Sequence, residues 1–182
     1  MGVVVAWLQL GSWKREQLAS KKSALAEDLV ATVAELKFSI KALRSPFGYG
    51  APEGDEEPET YDYRRRLREL GEKDSDFAKL RHLKVRQEAL SGSTDVNEAI
   101  EKFFEARTQL IVGLQGRIRQ ARGGSEFGRP LTDREFERLE RYDNLIWEGH
   151  AEDGDPINGL IDPAFETINS KMVPLIRLEI GK

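Results

Sequence analysis

Three acidic side chains, Glu98, Glu101 and Glu105, have a spacing that would place them on one face of a helix. Inward-facing glutamates of this kind ligate the di-metal centres of helical bundles. Such centres also need a histidine three residues after a glutamate on two helices. The chain has only His82 and His150, and neither follows a glutamate at that spacing. The pattern therefore favours a solvated acidic face over an enzyme with a metal in the bundle core.

The run EGHAEDGDPING surrounds His150 with carboxylates. The neighbouring acids are Glu148, Glu152, Asp153 and Asp155. Alternating oxygen ligands and a glycine are typical of calcium loops, but this run lacks the bidentate glutamate that ends a twelve-residue loop. No nucleophile or metal motif supports catalysis by His150. Acidic residues at helix ends in a turn are the favoured interpretation.

The sharpest basic cluster consists of four arginines preceded by two tyrosines. Its members are Tyr61, Tyr63, Arg64, Arg65, Arg66 and Arg68. Arginines beside aromatic rings bind RNA, phosphate or anionic lipid head groups. Acids lie just upstream, at residues 53–62, and just downstream, at Glu69 and Glu72, so neutralisation within the fold is the simpler expectation. An anion-, lipid head-group- or RNA-sensing module is the alternative function that the cluster supports.

Several chemistries are excluded by the residues that are missing. The chain has no cysteine, which rules out disulfides, iron–sulfur clusters and cysteine nucleophiles. Glycines gather at residues 48–54 and 123–128, but neither group ends in the lysine and serine or threonine of a phosphate loop. The sequence also lacks the Gly-x-Ser-x-Gly elbow of hydrolases. We therefore predict no catalytic residue, no cofactor and no metal.

Composition indicates one domain with much exposed charge. A chain of 182 residues is long enough for a single core of ordinary size. Apolar residues make up 39% and charged residues 33%, a balance that suits helices with wide polar faces. The formal charge of −4, without a dominant basic face, argues against nucleic acid as a partner.

A long first helix is the clearest element in the sequence. No glycine or proline occurs from Lys14 to Leu43. Apolar residues recur at the three-and-four spacing of one buried face, interrupted by Lys22. They are Leu18, Leu25, Leu29, Val33, Leu36, Ile40 and Leu43. Pro46 and the glycines behind it end the helix.

Helical patterns continue through the rest of the chain. Residues 60–90 are predicted to be helical, with a break near residues 71–75, and a third helix is predicted to start at Ser93 or Thr94. No alternation typical of strands appears. The expected exposed loops are residues 48–58, 123–131 and 149–156.

Two further helix starts are indicated by capping patterns. Thr132 and Glu135 have the spacing of a capping box, which predicts a fourth helix that includes Phe136 on its inner face. Asp162 followed by Pro163 predicts the start of the last helix. Pro174 should kink that helix or end it near Val173.

The N-terminal stretch, residues 3–13, is apolar and contains Trp7 and Trp13, with Lys14 and Arg15 directly after it. This order is typical of a membrane span that leaves the bilayer on its cytoplasmic side. The stretch is only about half the roughly 20 apolar residues that a span needs. Three interpretations compete: the end of a span that begins upstream, an interfacial anchor, and an apolar helix start docked on the core. The first is favoured, and it makes the two tryptophans, Lys14 and Arg15 the membrane contacts.

The run LASKKSALAEDLVATVAELKFSIKALRSPFGYG, preceded by VVAWLQLGSWKRE, resembles a group of bacterial proteins without an established activity. The resemblance covers residues 3–50, and extends loosely to the RQEAL and NLIWEG segments. Those proteins have one N-terminal membrane span and a cytoplasmic helical domain, with the segment matching Arg44 to Phe47 closing the first long helix. The resemblance implies a membrane-tethered helical domain and supplies no catalytic residues.

The combined expectation is an all-α protein, an elongated up-and-down bundle of four to five helices with a long, coiled-coil-like first helix. Residues 1–13 would form the end of a membrane span and residues 14–182 a single helical domain. The predicted function is a membrane-anchored interaction or scaffold domain at the cytoplasmic face of the membrane. Its expected partners are the membrane, an unidentified protein and a second copy of the chain, associated through the first helix.

Overall fold

Every element described in the structure is helical, which confirms the all-α prediction. The computed structural model describes residues 2–48, 50–124, 132–152 and 154–177, except for the side chains of residues 2–12 and 124. The α-helices are α1 (Gly2–Leu43), α2 (Tyr61–Glu72), α3 (Asp74–Leu90), α4 (Thr94–Gly124), α5 (Asp133–Ile146) and α6 (Pro156–Ile176). A 3₁₀ turn, Pro58–Thr60, precedes α2. These ranges contain six α-helices, where four or five were expected.

The break predicted near residues 71–75 separates α2 from α3. Lys73 lies between them with φ −88° and ψ 5°, outside helical geometry. Its backbone N–H donates to the carbonyl of Leu70, which closes the last turn of α2. A single non-helical residue therefore divides the predicted helix into two.

The core forms around one face of α1. Its buried apolar residues follow the predicted spacing from Leu25 onward. They are Leu25, Leu29, Val33, Leu36, Ile40 and Leu43. Residues from α2, α3, α4 and α6 complete the same apolar cluster. Leu18, which was predicted to belong to this face, is 46% exposed because α1 has not yet reached the bundle at that point.

Ion pairs show that α3 runs antiparallel to α1. Lys73, at the start of α3, lies 3.5 Å from Glu35, and Arg86, near the end of α3, lies 3.4 Å from Asp28. The C-terminal end of α3 therefore lies beside the part of α1 where burial begins.

Helix α6 also runs antiparallel to α1. Asp155, just before α6, pairs with Arg44 at 2.8 Å, and Asp162, about two turns further on, pairs with Lys37 at 2.9 Å. Both α3 and α6 thus end toward the N-terminal half of α1.

Helices α4 and α5 approach closely at two glycines. A Cβ atom on Gly116 would lie 2.4 Å from the ring of Tyr142, and one on Gly113 would lie 3.2 Å from the Ile146 side chain. The absence of side chains at these positions lets α5 pack on the C-terminal half of α4. Phe136, predicted to be on the inner face of α5, is instead 61% exposed.

The last helix begins earlier than its sequence pattern indicated. Asp155 is its N-cap and accepts hydrogen bonds from the backbone N–H groups of Ile157 and Asn158. Two Asp-Pro pairs occur seven residues apart, and the first of them starts the helix, so the prediction from Asp162 and Pro163 is wrong. Helix α6 also continues past Pro174 to Ile176.

The predicted loops differ from one another in structure. The segment at residues 48–58 is held against the helices, because Asp55 pairs with Arg64 and Glu57 with Arg122. Helix α4 includes Gly123 and Gly124, and most of the predicted loop at 123–131 falls outside the described residues.

Candidate functional site

The N-terminal part of α1 extends beyond the bundle. None of residues 13–24, which we call the stalk, is buried, and Leu25 is the first buried residue of the helix. Trp13 is 57% exposed, and Lys14 and Arg15 are exposed beside it. The side chain of Trp7, also predicted to contact a membrane, falls outside the described residues. One unbroken helix joins residues 3–13 to the core.

None of the described helices is both long enough and apolar enough to cross a bilayer.

The predicted arginine cluster is neutralised within the fold, as the flanking acids indicated. The guanidinium of Arg64 lies 2.5 Å from a carboxylate oxygen of Asp55. Arg65 pairs with Asp62 at 2.8 Å and with Glu69 at 2.5 Å. Burial acts to lower the pKa of Arg65, but its hydrogen bonds to these two carboxylates raise it above the ordinary value. The charges of Arg64 and Arg65 are thus neutralised by carboxylates from the same segment of the chain.

Arg66 has a different role, because its side chain is only 1% exposed. Its Nε donates to Asp62 at 2.8 Å and its Nη2 to the backbone carbonyl of Ser45 at 2.9 Å. Its Nη1 donates to the carbonyl of Leu43. The guanidinium stacks over the ring of Trp147, 4.4 Å from the ring centroid. Arg66 therefore satisfies carbonyl groups at the C-terminal end of α1.

The remaining residues of the cluster differ in their surroundings. Tyr63 packs against Trp147, with 6.2 Å between ring centroids, and Arg117 lies 5.7 Å from the Tyr63 ring. Tyr61 is half-buried, whereas Arg68 is exposed. Tyr63 is therefore engaged by other side chains of the fold.

Arg44, directly after α1, is completely buried. It forms a two-pronged ion pair with Asp155, at 2.8 Å and 2.9 Å. It also donates to the carbonyls of Leu145 (2.9 Å), Trp147 (3.1 Å) and Asn144 (3.3 Å), and to the side chain of Asn158 (3.3 Å). The carbonyl of Arg44 in turn accepts from the backbone N–H of Glu148 at 3.0 Å. A single side chain therefore connects the ends of α1 and α5 to the start of α6.

Arg44 and Arg66, with Asp62, Asp155 and Trp147, form what we call the arginine junction. Burial acts to raise the pKa of Asp155, but the hydrogen bonds from Arg44 and from the backbone of Asn158 lower it below its ordinary value. Burial also acts to raise the pKa of Asp62, but the hydrogen bonds from Arg66 and Arg65 lower it below its ordinary value. The ion pairs and hydrogen bonds of the junction therefore hold the end of α1 to α2, α5 and α6.

The acidic faces predicted to be solvated do not gather around a metal position. Glu101 pairs with Lys84 at 2.5 Å, and Glu105 pairs with Lys102 at 2.8 Å. Within the described residues, no group of three or more histidine, aspartate or glutamate side chains is arranged to hold a metal ion.

His150 is exposed at the rim of an open depression of about 580 Å³ that also contacts Glu152. Asp155, one of the four acids named around His150, binds Arg44 and caps α6. Asp153 falls outside the described residues. The loop connects α5 to α6.

An apolar groove lies between α1 and the α2–α3 pair. It has a volume of about 310 Å³, and Phe38 on its edge is 71% exposed. Leu70 and Phe77 contribute to its wall, and Glu72 lies on its rim. Sequence periodicity did not single out Phe38, because it lies outside the buried stripe of α1.

No protein-family model, curated protein or solved structure matches this chain significantly.

Proposed function

We propose that this protein is a membrane-anchored helical interaction domain, in which residues 3–13 contact the bilayer and the bundle binds a protein partner. In this proposal the helices form an up-and-down bundle at the cytoplasmic face of the membrane.

The observation that carries the proposal is the continuity of α1. The apolar residues 3–13 are joined to the core by a helix that is exposed along the stalk, so the bundle does not cover the connection. At about 1.5 Å per residue, the stalk spans on the order of 18 Å. That length of exposed helix can lie along the surface that residues 3–13 contact, with the bundle at its far end.

The order of residue types supports the cytoplasmic orientation. Trp13 is the last residue of the apolar stretch, and Lys14 and Arg15 follow it at once. Tryptophan is enriched at the bilayer interface, and basic residues are enriched on its cytoplasmic side.

Binding to uncharged phosphatidylcholine vesicles tests the membrane contact. The complete chain should co-sediment with these vesicles, and the double variant Trp7→Glu/Trp13→Glu should remain in the supernatant. Phe136→Glu is the matched control, since Phe136 is a large exposed apolar residue on the bundle, and it should leave binding unchanged. A wild-type chain that ignores neutral vesicles contradicts the proposal.

For the protein partner we propose a second copy of the chain at the Phe38 groove. In a twofold-symmetric pair the same patch is used by both copies, so each Phe38 would meet the groove of the other. Burying a phenylalanine side chain contributes about 1.5–3 kcal/mol, which favours such a contact.

Light scattering coupled to gel filtration tests this assignment. The wild-type chain should form a dimer in detergent, and Phe38→Glu should be monomeric with unchanged helix content. Val85→Glu, an exposed position on α3, is the control and should remain dimeric. A strictly monomeric wild-type chain removes self-association from the proposal.

A further inference from the structure

We infer that the stalk carries a basic docking face for anionic phospholipid head groups. The inference rests on the proposed membrane contact and deepens it, because it names the class of lipid that the contact selects. Four cations make up the face, and Leu18 lies among them. They are Lys14, Arg15, Lys21 and Lys22.

Two of the four cations, Arg15 and Lys22, lie on the side of α1 that forms the core further along the helix, and Lys14 and Lys21 lie next to them in the chain. Residues seven apart occupy nearly the same face of a helix. Arg15 and Lys22 therefore continue the line of Leu29, and Leu18 continues that of Leu25. Where α1 leaves the bundle, the buried leucines on this side of the helix are replaced by exposed or half-buried cations.

The cations are available for a ligand. Within the residues that the structure describes, no carboxylate forms an ion pair with any of the four. The stalk contains these four basic residues and one acidic residue, Glu16. By contrast, Arg64, Arg65 and Arg66 are each paired with carboxylates inside the fold. The stalk therefore has a net positive charge in a protein whose total charge is negative.

The arrangement of the cations fits a charged lipid surface. The Lys14–Arg15 pair and the Lys21–Lys22 pair are two helical turns apart, about 10 Å along the axis. Leu18 lies between the pairs and is 46% exposed, so it is available to contact the acyl boundary while the cations contact phosphates. Anionic lipids attract such segments, and the attraction increases with each basic residue near the surface.

A second stalk is a poor occupant of this face. In a parallel pair, Arg15 would face Arg15 and Lys22 would face Lys22 at the positions that normally carry apolar residues. In an antiparallel pair, Arg15 would face Lys22. Both arrangements oppose like charges, so dimerisation at the Phe38 groove and lipid binding at the stalk use different surfaces.

Vesicle binding with a charge-matched control tests the inference. The complete chain is titrated with phosphatidylcholine vesicles and with vesicles of equimolar phosphatidylcholine and phosphatidylserine. We expect binding to the anionic vesicles to be stronger by on the order of a hundredfold, and this preference to decline as salt is added. The variant in which Lys14, Arg15, Lys21 and Lys22 are changed to glutamine should lose the preference but retain binding to neutral vesicles.

The control variant changes four other exposed arginines to glutamine. They are Arg68, Arg134, Arg138 and Arg141. It carries the same change in net charge and should keep the preference for anionic vesicles. Equal loss in both variants overturns the inference, since total charge would then explain the binding.

Other outcomes separate the inference from the proposed function. Neutral and anionic vesicles bound equally well would overturn the inference and leave the proposed membrane contact intact. Failure to bind neutral vesicles, with anionic binding retained, would overturn the apolar contact alone. Tighter binding to an RNA homopolymer than to anionic vesicles would assign the face to nucleic acid and overturn the lipid inference.

Discussion

Arg44 and Asp155 form a buried two-pronged ion pair, at 2.8 Å and 2.9 Å, although 111 positions separate them in the chain. Arg44 follows the last residue of α1, and Asp155 caps the first turn of α6. The pair therefore fixes where the long first helix ends relative to the last one.

Removing the cation of this pair should destabilise the protein strongly. Arg44→Met leaves the Asp155 carboxylate and three backbone carbonyls without their donor, so we expect a loss of about 3–5 kcal/mol in the free energy of unfolding. Urea denaturation measures it. Lys41→Met is the control, because Lys41 is partly exposed and its surface pairs should contribute about 0–1 kcal/mol. Equal losses in the two variants would contradict a special role for Arg44.

Substitutions along the arginine run should have graded effects on stability. Arg66→Gln removes the donor to Leu43 and Ser45 and the stacking on Trp147, and should cost about 3 kcal/mol in the free energy of unfolding.

Arg68→Gln provides the comparison two residues further on. Arg68 is exposed, so its substitution should change stability by less than about 0.5 kcal/mol in the same urea titration. If Arg68→Gln proved the more damaging of the two, the burial assigned to Arg66 would be in error.

Stability should decline in acid through the carboxylates of the junction. The pKa values of Asp155 and Asp62 lie below their ordinary value of 3.8 in the folded protein. Because these values are lowered, the ion pairs contribute fully above pH 3.8 and lose their contribution as the pH falls through the folded-state pKa. Unfolding free energies measured down to about pH 3 should fall steeply in wild type and less steeply in Asp155→Asn. Parallel curves would rule out Asp155 as a source of the pH dependence.

Two glycines inside helices should respond in opposite ways to alanine. Gly116→Ala places a Cβ against the Tyr142 ring, and we expect a net loss of about 1–2 kcal/mol after the gain in helix propensity. Gly71→Ala meets no atom within 4 Å and should stabilise the protein by about 0.5–1 kcal/mol. Thermal unfolding distinguishes the two, and a stabilised Gly116→Ala would mean that the α4–α5 contact is looser than described.

Helix positions could largely be predicted from the sequence, because local signals determine them. The apolar spacing from Leu25 to Leu43 predicted the buried face of α1, and Thr132 with Glu135 forms the predicted capping box. The start of α6 was placed wrongly, since Asp155–Pro156 and Asp162–Pro163 carry the same local signal. Only the partner of each aspartate, Arg44 or Lys37, distinguishes them.

The arginine junction could not be predicted in this way. Arg44 and Arg66 are charged, and charged side chains are almost never fully buried unless they are paired. Arg44 pairs with Asp155, which lies far along the chain, and Arg66 donates to the backbone carbonyl of Ser45. Periodicity describes which face of a helix is apolar, but it does not identify which distant carbonyl groups need a donor. The exposed stalk was not predicted for a related reason, because Leu18 fits the core spacing although it is 46% exposed.

Helix α1 contains 42 residues in one uninterrupted element, with the proposed lipid contact at one end and Arg44 just past the other. Its neighbours α3 and α6 lie along it in the opposite direction, so tension applied at residues 3–13 would pull α1 lengthwise past both of them. Lengthwise sliding strains the packed leucines and the Arg44 pair together instead of peeling contacts away one by one. The geometry of α1 therefore favours resistance to a lengthwise pull over resistance to a sideways one.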